Sequence, residues 1–377
     1  MCKVKAFLHN RQIFHNFAVP KAAALATNPM KRLIVKILLC FLLAMVAPLR
    51  AGAISFALDS IAQWGKFPRF CVNTYRWGDK FFNSYDSLYV VGPGTKFNVK
   101  AVTESWIDTY HFTLPGNQQV DLRSDASTSV GAYVTYLAVS AGYDINISNL
   151  FGGVNHARSR YRFGFNCSLL GVEMYWENND VGTTLRRMGP YKNLKIPFDG
   201  VKIGSWGIDV YYFFNHKRYS QAAAFTFGKI QKRSQGSFYA GLSIYSQDYD
   251  FDFSGLDSDM RDLLPDDWDD YHYRVKTHNY GFRLGYGYNW VAGRNWVVCG
   301  SFSPTVGIRK GYINSDEERT SFSLYQRLKA SAVWNHGHWF LGIIGQADIS
   351  IVSEKQTTFV GANLTASASI GYRFNLW

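Results

Sequence analysis

The sequence predicts an all-β fold, a transmembrane antiparallel β-barrel of 12 to 14 strands with a short N-terminal periplasmic extension. Aromatic residues make up 17% of the 377 residues and charged residues only 18%, whereas soluble proteins carry about 25% charged residues. Segments of strand length alternate between apolar side chains and polar or small ones, as strands with one face toward lipid do. The chain also ends in an alternating aromatic segment, residues 370–377.

The N-terminal segment has the features of a secretory signal. Residues 30–53 run from a basic start through an apolar stretch to an A-x-A cleavage motif. We expect the mature chain to begin near Ile54 and residues 1–29 to be an upstream extension from a misplaced start codon. Residues 1–53 hold eight of the 40 basic residues and none of the 28 acidic ones, which leaves 32 basic and 28 acidic residues. This near balance argues against a nucleic-acid-binding protein.

The remaining chain divides into two parts. Residues 54–95 alternate weakly and are expected to form a periplasmic extension or a plug, whereas residues 96–377 are expected to form the barrel. Thirteen segments alternate clearly: 97–109, 128–136, 138–147, 160–169, 170–178, 205–214, 219–230, 236–247, 279–290, 296–309, 321–334, 339–351 and 363–377. Bacterial single-chain barrels have even strand numbers. A strand is therefore missing, either at 86–91 or within 180–200, or one strand has been split.

The long connections are predicted to be external loops, at residues 111–127, 179–200 and 248–277.

Alternation also assigns a face to each charged residue. In the segment 279–290, Leu284 shares a face with five aromatic residues and Arg283 lies on the other face. The same parity predicts eight charged residues that line the lumen: Arg160, Arg162, Asp209, Arg283, Arg327, Lys329, Asp348 and Arg373. They would form either an ion-pair network that fills the barrel or the lining of a narrow, mildly anion-favouring pore.

A motif in the central third resembles a known family. Asn215, the tripeptide 218–220, Phe225 and the polar run 231–238 are similar to an uncharacterised family of Gram-negative outer-membrane β-barrels catalogued as a domain of unknown function. The resemblance extends from about residue 72 to the C-terminus and implies no catalytic residue. We interpret the motif as a hairpin and the loop after it, with Tyr219 in an interfacial aromatic girdle.

Few groups of residues in the sequence suggest a metal site or a catalytic site. Asp248, Asp250, Asp252 and Asp259 match positions one, three, five and twelve of a calcium loop, but Phe253 replaces the glycine required at position six. A solvated acidic loop, or diffuse divalent-cation contact with lipopolysaccharide, is the simpler interpretation. His278 lies at a strand end, but no nucleophile can be paired with it from the sequence. Cys71, Cys167 and Cys299 follow the signal, and their pairing stays open.

These features predict a protein of the cell outer membrane, most simply a non-enzymatic structural or pore-type surface protein. No catalytic residue, cofactor or metal is assigned. The alternatives are a lipid-modifying enzyme of the outer membrane and a surface receptor or adhesin that uses the acidic loop 248–270. The expected partners are outer-membrane lipid and lipopolysaccharide, together with the barrel-assembly machinery through residues 370–377, and nucleic acid is not among them.

Overall fold

The structure, a computed structural model, describes residues 83–136, 139–147, 158–179, 182–266, 268–314, 317–354 and 356–375. The predicted signal, the expected start near Ile54, Cys71 and most of the predicted extension lie outside these residues. Within them, no helix is long and apolar enough to cross a bilayer. A short α-helix, α1, spans Ser258–Arg261, 3-10 turns span Pro115–Asn117 and Asp269–Tyr271, and a π-helical turn spans Ala222–Thr226.

The described residues form seventeen strands: β1 Val90–Val91, β2 Phe97–Leu114, β3 Gln118–Ser124, β4 Ser127–Tyr136, β5 Val139–Asn146, β6 Arg158–Asn166, β7 Leu170–Asn179, β8 Thr183–Met188, β9 Tyr191–Phe198, β10 Val201–Phe213, β11 Ile230–Gln231, β12 Gln235–Asp252, β13 His272–Val291, β14 Trp296–Ile313, β15 Arg319–His336, β16 Trp339–Glu354 and β17 Thr357–Phe374. Strand residues dominate because the alternating sequence suits a surface that is buried on one face only.

Twelve of these strands form a closed antiparallel barrel, as the alternation predicts. Their order is β2, β4, β5, β6, β7, β10, β12, β13, β14, β15, β16 and β17, and β17 pairs back onto β2 from Phe374 opposite Phe97 to Thr358 opposite Thr113. We call the end with Phe97 and Phe374 the lower end and the opposite end the upper end.

The prediction of a strand over residues 219–230 is wrong. These residues belong to the connection between β10 and β12, which contains the π-helical turn and β11, and β11 pairs with β1. Removing this segment from the thirteen candidates leaves the even number that a closed barrel of this kind needs. The strands within 180–200 exist, but they are β8 and β9 and lie outside the ring.

A smaller sheet extends the barrel wall at the upper end. The upper half of β2 pairs with β3, which pairs with β8, which pairs with β9. The segments predicted as external loops at 111–127 and 248–277 are therefore partly strand, because β2, β12 and β13 continue past the barrel's apolar band into this upper region.

The outer face of the barrel carries a continuous apolar band. On β13 the outward side chains from Tyr280 to Trp290 are all apolar or aromatic and exposed. Ten residue steps at ~3.3 Å, tilted by ~40°, cover roughly 25 Å, the height of the apolar band in outer-membrane barrels. Arg283 is 3% exposed and its neighbour Leu284 is 49% exposed, so the two faces of the strand differ as lipid and lumen require.

An arginine placed in this band should destabilise the barrel. We expect Leu284→Arg to lower the free energy of unfolding by about 2–4 kcal/mol, because the guanidinium would face hydrocarbon near the middle of the band. His278→Arg is the matched control, since it lies on the same face of β13 just above the band and should cost no more than about 1 kcal/mol. Guanidinium unfolding in lipid vesicles measures both, and equal losses would contradict the assigned faces.

Candidate functional site: the barrel lumen

Aromatic side chains close the lumen at its upper end. Phe112 on β2 and Phe251 on β12 are both fully buried, and their ring centroids are 5.2 Å apart. These strands are six positions apart in the ring of twelve and therefore lie on opposite walls. Phe112 also lies 5.2 Å from Tyr273 on β13 and 5.0 Å from Phe359 on β17, measured between ring centroids. Opposite walls of the barrel thus meet through direct ring contacts.

The connection between β12 and β13 folds over this cluster. Phe253 and Trp268 are buried, and the Trp268 ring lies 4.9 Å from the Tyr273 ring and 6.0 Å from the Phe112 ring. Met260 of α1 and Leu264 also pack there. We call the buried residues collectively the upper cluster: Tyr110, Phe112, Leu114, Val120, Leu122, Leu185, Met188, Phe198, Val201, Phe251, Phe253, Leu256, Met260, Leu264, Trp268, Tyr273, Val275, Ile313, Val352 and Phe359.

The four aspartates that match a calcium loop are spread over this upper region. Asp250 accepts a hydrogen bond from His272 Nδ1 at 2.8 Å, and Asp252 lies 3.5 Å from His272 Nε2. Asp248 lies opposite Lys276 in the register, and Asp259 accepts a hydrogen bond from Ser258. Across the ranges that the structure describes, no group of three or more His, Cys, Asp or Glu side chains is arranged to hold a metal ion.

A network of ion pairs crosses the middle of the lumen. Asp209 on β10 lies 3.0 Å from Arg283 on β13 and 3.0 Å from Arg327 on β15. Arg327 Nε also donates to Asp348 on β16 at 2.7 Å. Lys329 Nζ on β15 lies 3.2 Å from Glu173 on β7, five positions away in the ring. Removing one partner of such a buried pair costs roughly 3–5 kcal/mol, so each of these charges depends on the others.

A second ionic group lies on the wall formed by β2, β5 and β6. Arg162 on β6 donates to Glu104 on β2, and its guanidinium is 4.0 Å from Asp144 on β5. Lys100 on β2 contacts no carboxylate at ion-pair distance within the described chain. Its ammonium lies 4.9 Å from the ring centroids of both Tyr133 and Phe227, where the electron-rich ring faces stabilise a cation.

The connection between β10 and β12 closes the lower end. We call residues 219–231 the lumen insert. Phe227 is fully buried and its ring lies 5.0 Å from Phe340 on β16. The backbone oxygen of Phe227 accepts hydrogen bonds from Arg373 of β17 at 2.9 and 3.2 Å. Strands β16, β17 and β2 lie four to six positions from β10 and β12 in the ring, so the insert crosses the lumen to the far wall.

Polar side chains hold the insert in place. Asn289 on β13 donates to the Ser220 carbonyl at 2.9 Å and to Gln231 Oε1 at 3.0 Å. Gln231 Nε2 in turn donates to the Arg218 carbonyl at 2.7 Å. Tyr219 is fully buried, so its predicted place in an interfacial girdle is wrong. The middle of the resembling motif, residues 219–231, therefore lies inside the lumen, whereas Arg218, Lys232 and Arg233 at its edges are exposed.

A cavity of about 310 Å³ remains between the upper cluster and the insert. Its lining includes Lys100, Glu104, Arg162 and Glu173 from the wall and Phe225 from the insert. The predicted lumen residues Arg162, Asp209, Arg283, Arg327, Lys329, Asp348 and Arg373 all take part in the contacts given above. For Arg160 the structure describes the backbone in β6 only.

The structure brings together one group of side chains around a histidine that was not predicted from the sequence. His111 Nδ1 on β2 lies 2.5 Å from Asp121 on β3, and Thr113 Oγ1 lies 3.4 Å from His111 Nε2. The second distance is long for a hydrogen bond, and we assign the group to pairing β2 with β3. His278, the histidine selected from the sequence, points outward, with its ring centroid 6.4 Å from that of Trp206.

The two described cysteines, Cys167 and Cys299, are free and buried. Burial raises the pKa of the Cys167 thiol, which keeps it protonated and poorly nucleophilic. Because both thiols are buried, we assign a reactive role to neither cysteine.

Two glycines on β16 allow a test of the insert. A Cβ atom at Gly342 would lie 2.4 Å from the Phe227 ring, whereas one at Gly345 would have no atom within 4 Å. We expect Gly342→Ala to push Phe227 away from the wall and to increase trypsin cleavage after Lys229 several-fold, while Gly345→Ala leaves cleavage unchanged. The measurement uses the folded protein in detergent, and equal cleavage rates for the two variants would contradict the assigned packing.

Several solved structures align with the chain at low sequence identity. Solved structures that align with the chain include outer membrane protease OmpT from Escherichia coli, with 8% identity, TM-score 0.34, and coverage of 74% of this chain and 97% of that one. The translocator domain of autotransporter NalP from Neisseria meningitidis has 11% identity, TM-score 0.33, and coverage of 74% and 89%. The toluene transporter TodX of P. putida has 7% identity, TM-score 0.28, and coverage of 75% and 91%.

These TM-scores are all below 0.5, so neither the activities nor the ligands of the three proteins are transferred to this chain. No curated protein matches the sequence. One family model matches residues 84–374, which is most of the chain. The chain therefore belongs to the family described as a domain of unknown function (DUF4421).

Proposed function

We propose that the protein is a sealed outer-membrane barrel, a non-enzymatic surface protein whose lumen serves as a structural core and not as a pore. The contact between Phe112 and Phe251 carries this proposal, because it joins strands on opposite walls. An ion or solute on the barrel axis would have to separate these rings, then the central ion pairs, then the lumen insert. Each layer is held by contacts that are lost when it opens.

The charged lumen favours a structural role over selective transport. The central network pairs three cations, Arg283, Arg327 and Lys329, with three carboxylates, Asp209, Asp348 and Glu173. Its charges therefore balance, and the network leaves little net field to attract a passing ion. A conducting pore needs binding that is favourable enough for entry but weak enough for release. Buried, mutually paired charges instead fix the positions of strands that are far apart in the ring.

The upper region supports a role at the cell surface. The sheet of β3, β8 and β9 and the loop over the upper cluster extend beyond the apolar band, and the aspartates of that loop are mostly exposed. Both termini of the ring lie at the lower end, which in bacterial barrels of even strand number is the periplasmic end. On this orientation the acidic loop faces outward. The receptor or adhesin alternative rests on this loop.

Planar-bilayer recording tests the sealed lumen. We expect the refolded protein to insert without steady ohmic conductance, because at three levels the lumen is filled by protein. A porin of known conductance, recorded in the same bilayer, serves as the positive control, and unboiled gel mobility verifies that the inserted protein is folded. A reproducible unitary conductance from the folded protein would contradict the proposal and favour the pore interpretation.

A further inference from the structure

Outward-facing cations lie directly above the apolar band on two adjacent strands. Lys276 and His278 on β13 and Lys310 on β14 are exposed, and the outward residues below them, Tyr280 and Ile308, form the upper edge of the band. This height corresponds to the boundary between hydrocarbon and head groups. Lipid phosphates lie at the same level.

The strand register brings these cations together. His278 is directly opposite Lys310, and Lys276 is opposite Tyr312, so Lys276 and Lys310 are diagonal neighbours. Diagonal Cβ atoms are about 7–8 Å apart on adjacent strands, within reach of two lysine side chains. Like charges in this arrangement repel one another unless an anion lies between them.

Neighbouring strands supply only part of that negative charge. On β12, Asp248 lies opposite Lys276 and Asp250 opposite Arg274. Asp250 is already shared between His272 at 2.8 Å and Arg274 at 3.6 Å. On the other side, Lys310 faces Thr320 of β15, which is uncharged. Among the residues that the structure describes, no carboxylate lies within 4.0 Å of the ammonium of Lys276 or Lys310.

We infer that Lys276 and Lys310, flanked by His278, bind a phosphate group of a phosphorylated glycolipid in the outer leaflet, that is, of lipopolysaccharide. A phosphomonoester carries nearly two negative charges and can accept hydrogen bonds from both ammonium groups. The acyl chains of the same molecule then run down the apolar column that begins at Tyr280 and Ile308. The inference rests on the outer-membrane location proposed above and adds a specific lipid site to it.

Binding of bisphosphorylated lipid A to the detergent-solubilised protein, followed by native mass spectrometry, tests this site. The double variant Lys276→Glu/Lys310→Glu should bind at least about tenfold more weakly, because it replaces two cations that attract anionic lipid with two anions that repel it. Dephosphorylated lipid A should bind the original protein as weakly as lipid A binds the variant.

The matched control is Lys192→Glu/Lys195→Glu on the exposed strand β9, which changes the net charge equally but away from the band. It should leave lipid A binding unchanged. Equal binding by the Lys276/Lys310 variant and the original protein would overturn the site. An equal loss for phosphatidylglycerol, or displacement of lipid A by inorganic phosphate, would overturn its assignment to the glycolipid. Cell fractionation reports separately on the proposed location, since the variant should still reach the outer membrane.

Discussion

The contact of opposite barrel walls is the interaction on which the rest of the structure depends. A ring of twelve strands encloses a lumen whose inward polar groups need partners, and here side chains and one connecting segment supply most of them. Phe112 meets Phe251 at the upper end, Lys329 meets Glu173 in the middle, and Phe227 meets Phe340 at the lower end. Aromatic contacts at both ends and ionic contacts in the middle therefore fill one lumen.

Sequence alternation predicted the barrel and the facing of its residues because side chains of a strand alternate between two environments. It assigned Arg283 and Leu284 to opposite faces, and their exposures of 3% and 49% follow that assignment. The partners of Asp209 could not be predicted, because Arg283 and Arg327 are brought to it by the closure of a ring and not by sequence distance. The same holds for Glu173 and Lys329.

The lumen insert shows where alternation misleads. Residues 219–230 alternate as a strand would, yet they lie in the lumen insert, where residues 222–226 form a π-helical turn. Alanine and aromatic side chains also suit a segment that is buried on all sides. The sequence of β12 also indicates where the upper end of the lumen closes. Asp248, Asp250 and Asp252 occupy the outward face of β12 while Tyr249 and Phe251 occupy the inward face. Apolar side chains that change from the outer to the inner face mark the point where the wall leaves the lipid and the lumen closes.

Cross-linking across the lumen tests the account most directly. In a background without Cys71, Cys167 and Cys299, cysteines at Phe112 and Phe251 should be joined in high yield by a short homobifunctional thiol reagent, because their side chains meet across the lumen. Cysteines at Thr109 and Asp248, outward positions on the same two strands, should not be joined. Cross-linking of the inward pair in cells, well above that of the outward pair, is the expected result. Equal, low yields for both pairs would show that the walls stand apart and that the lumen is open.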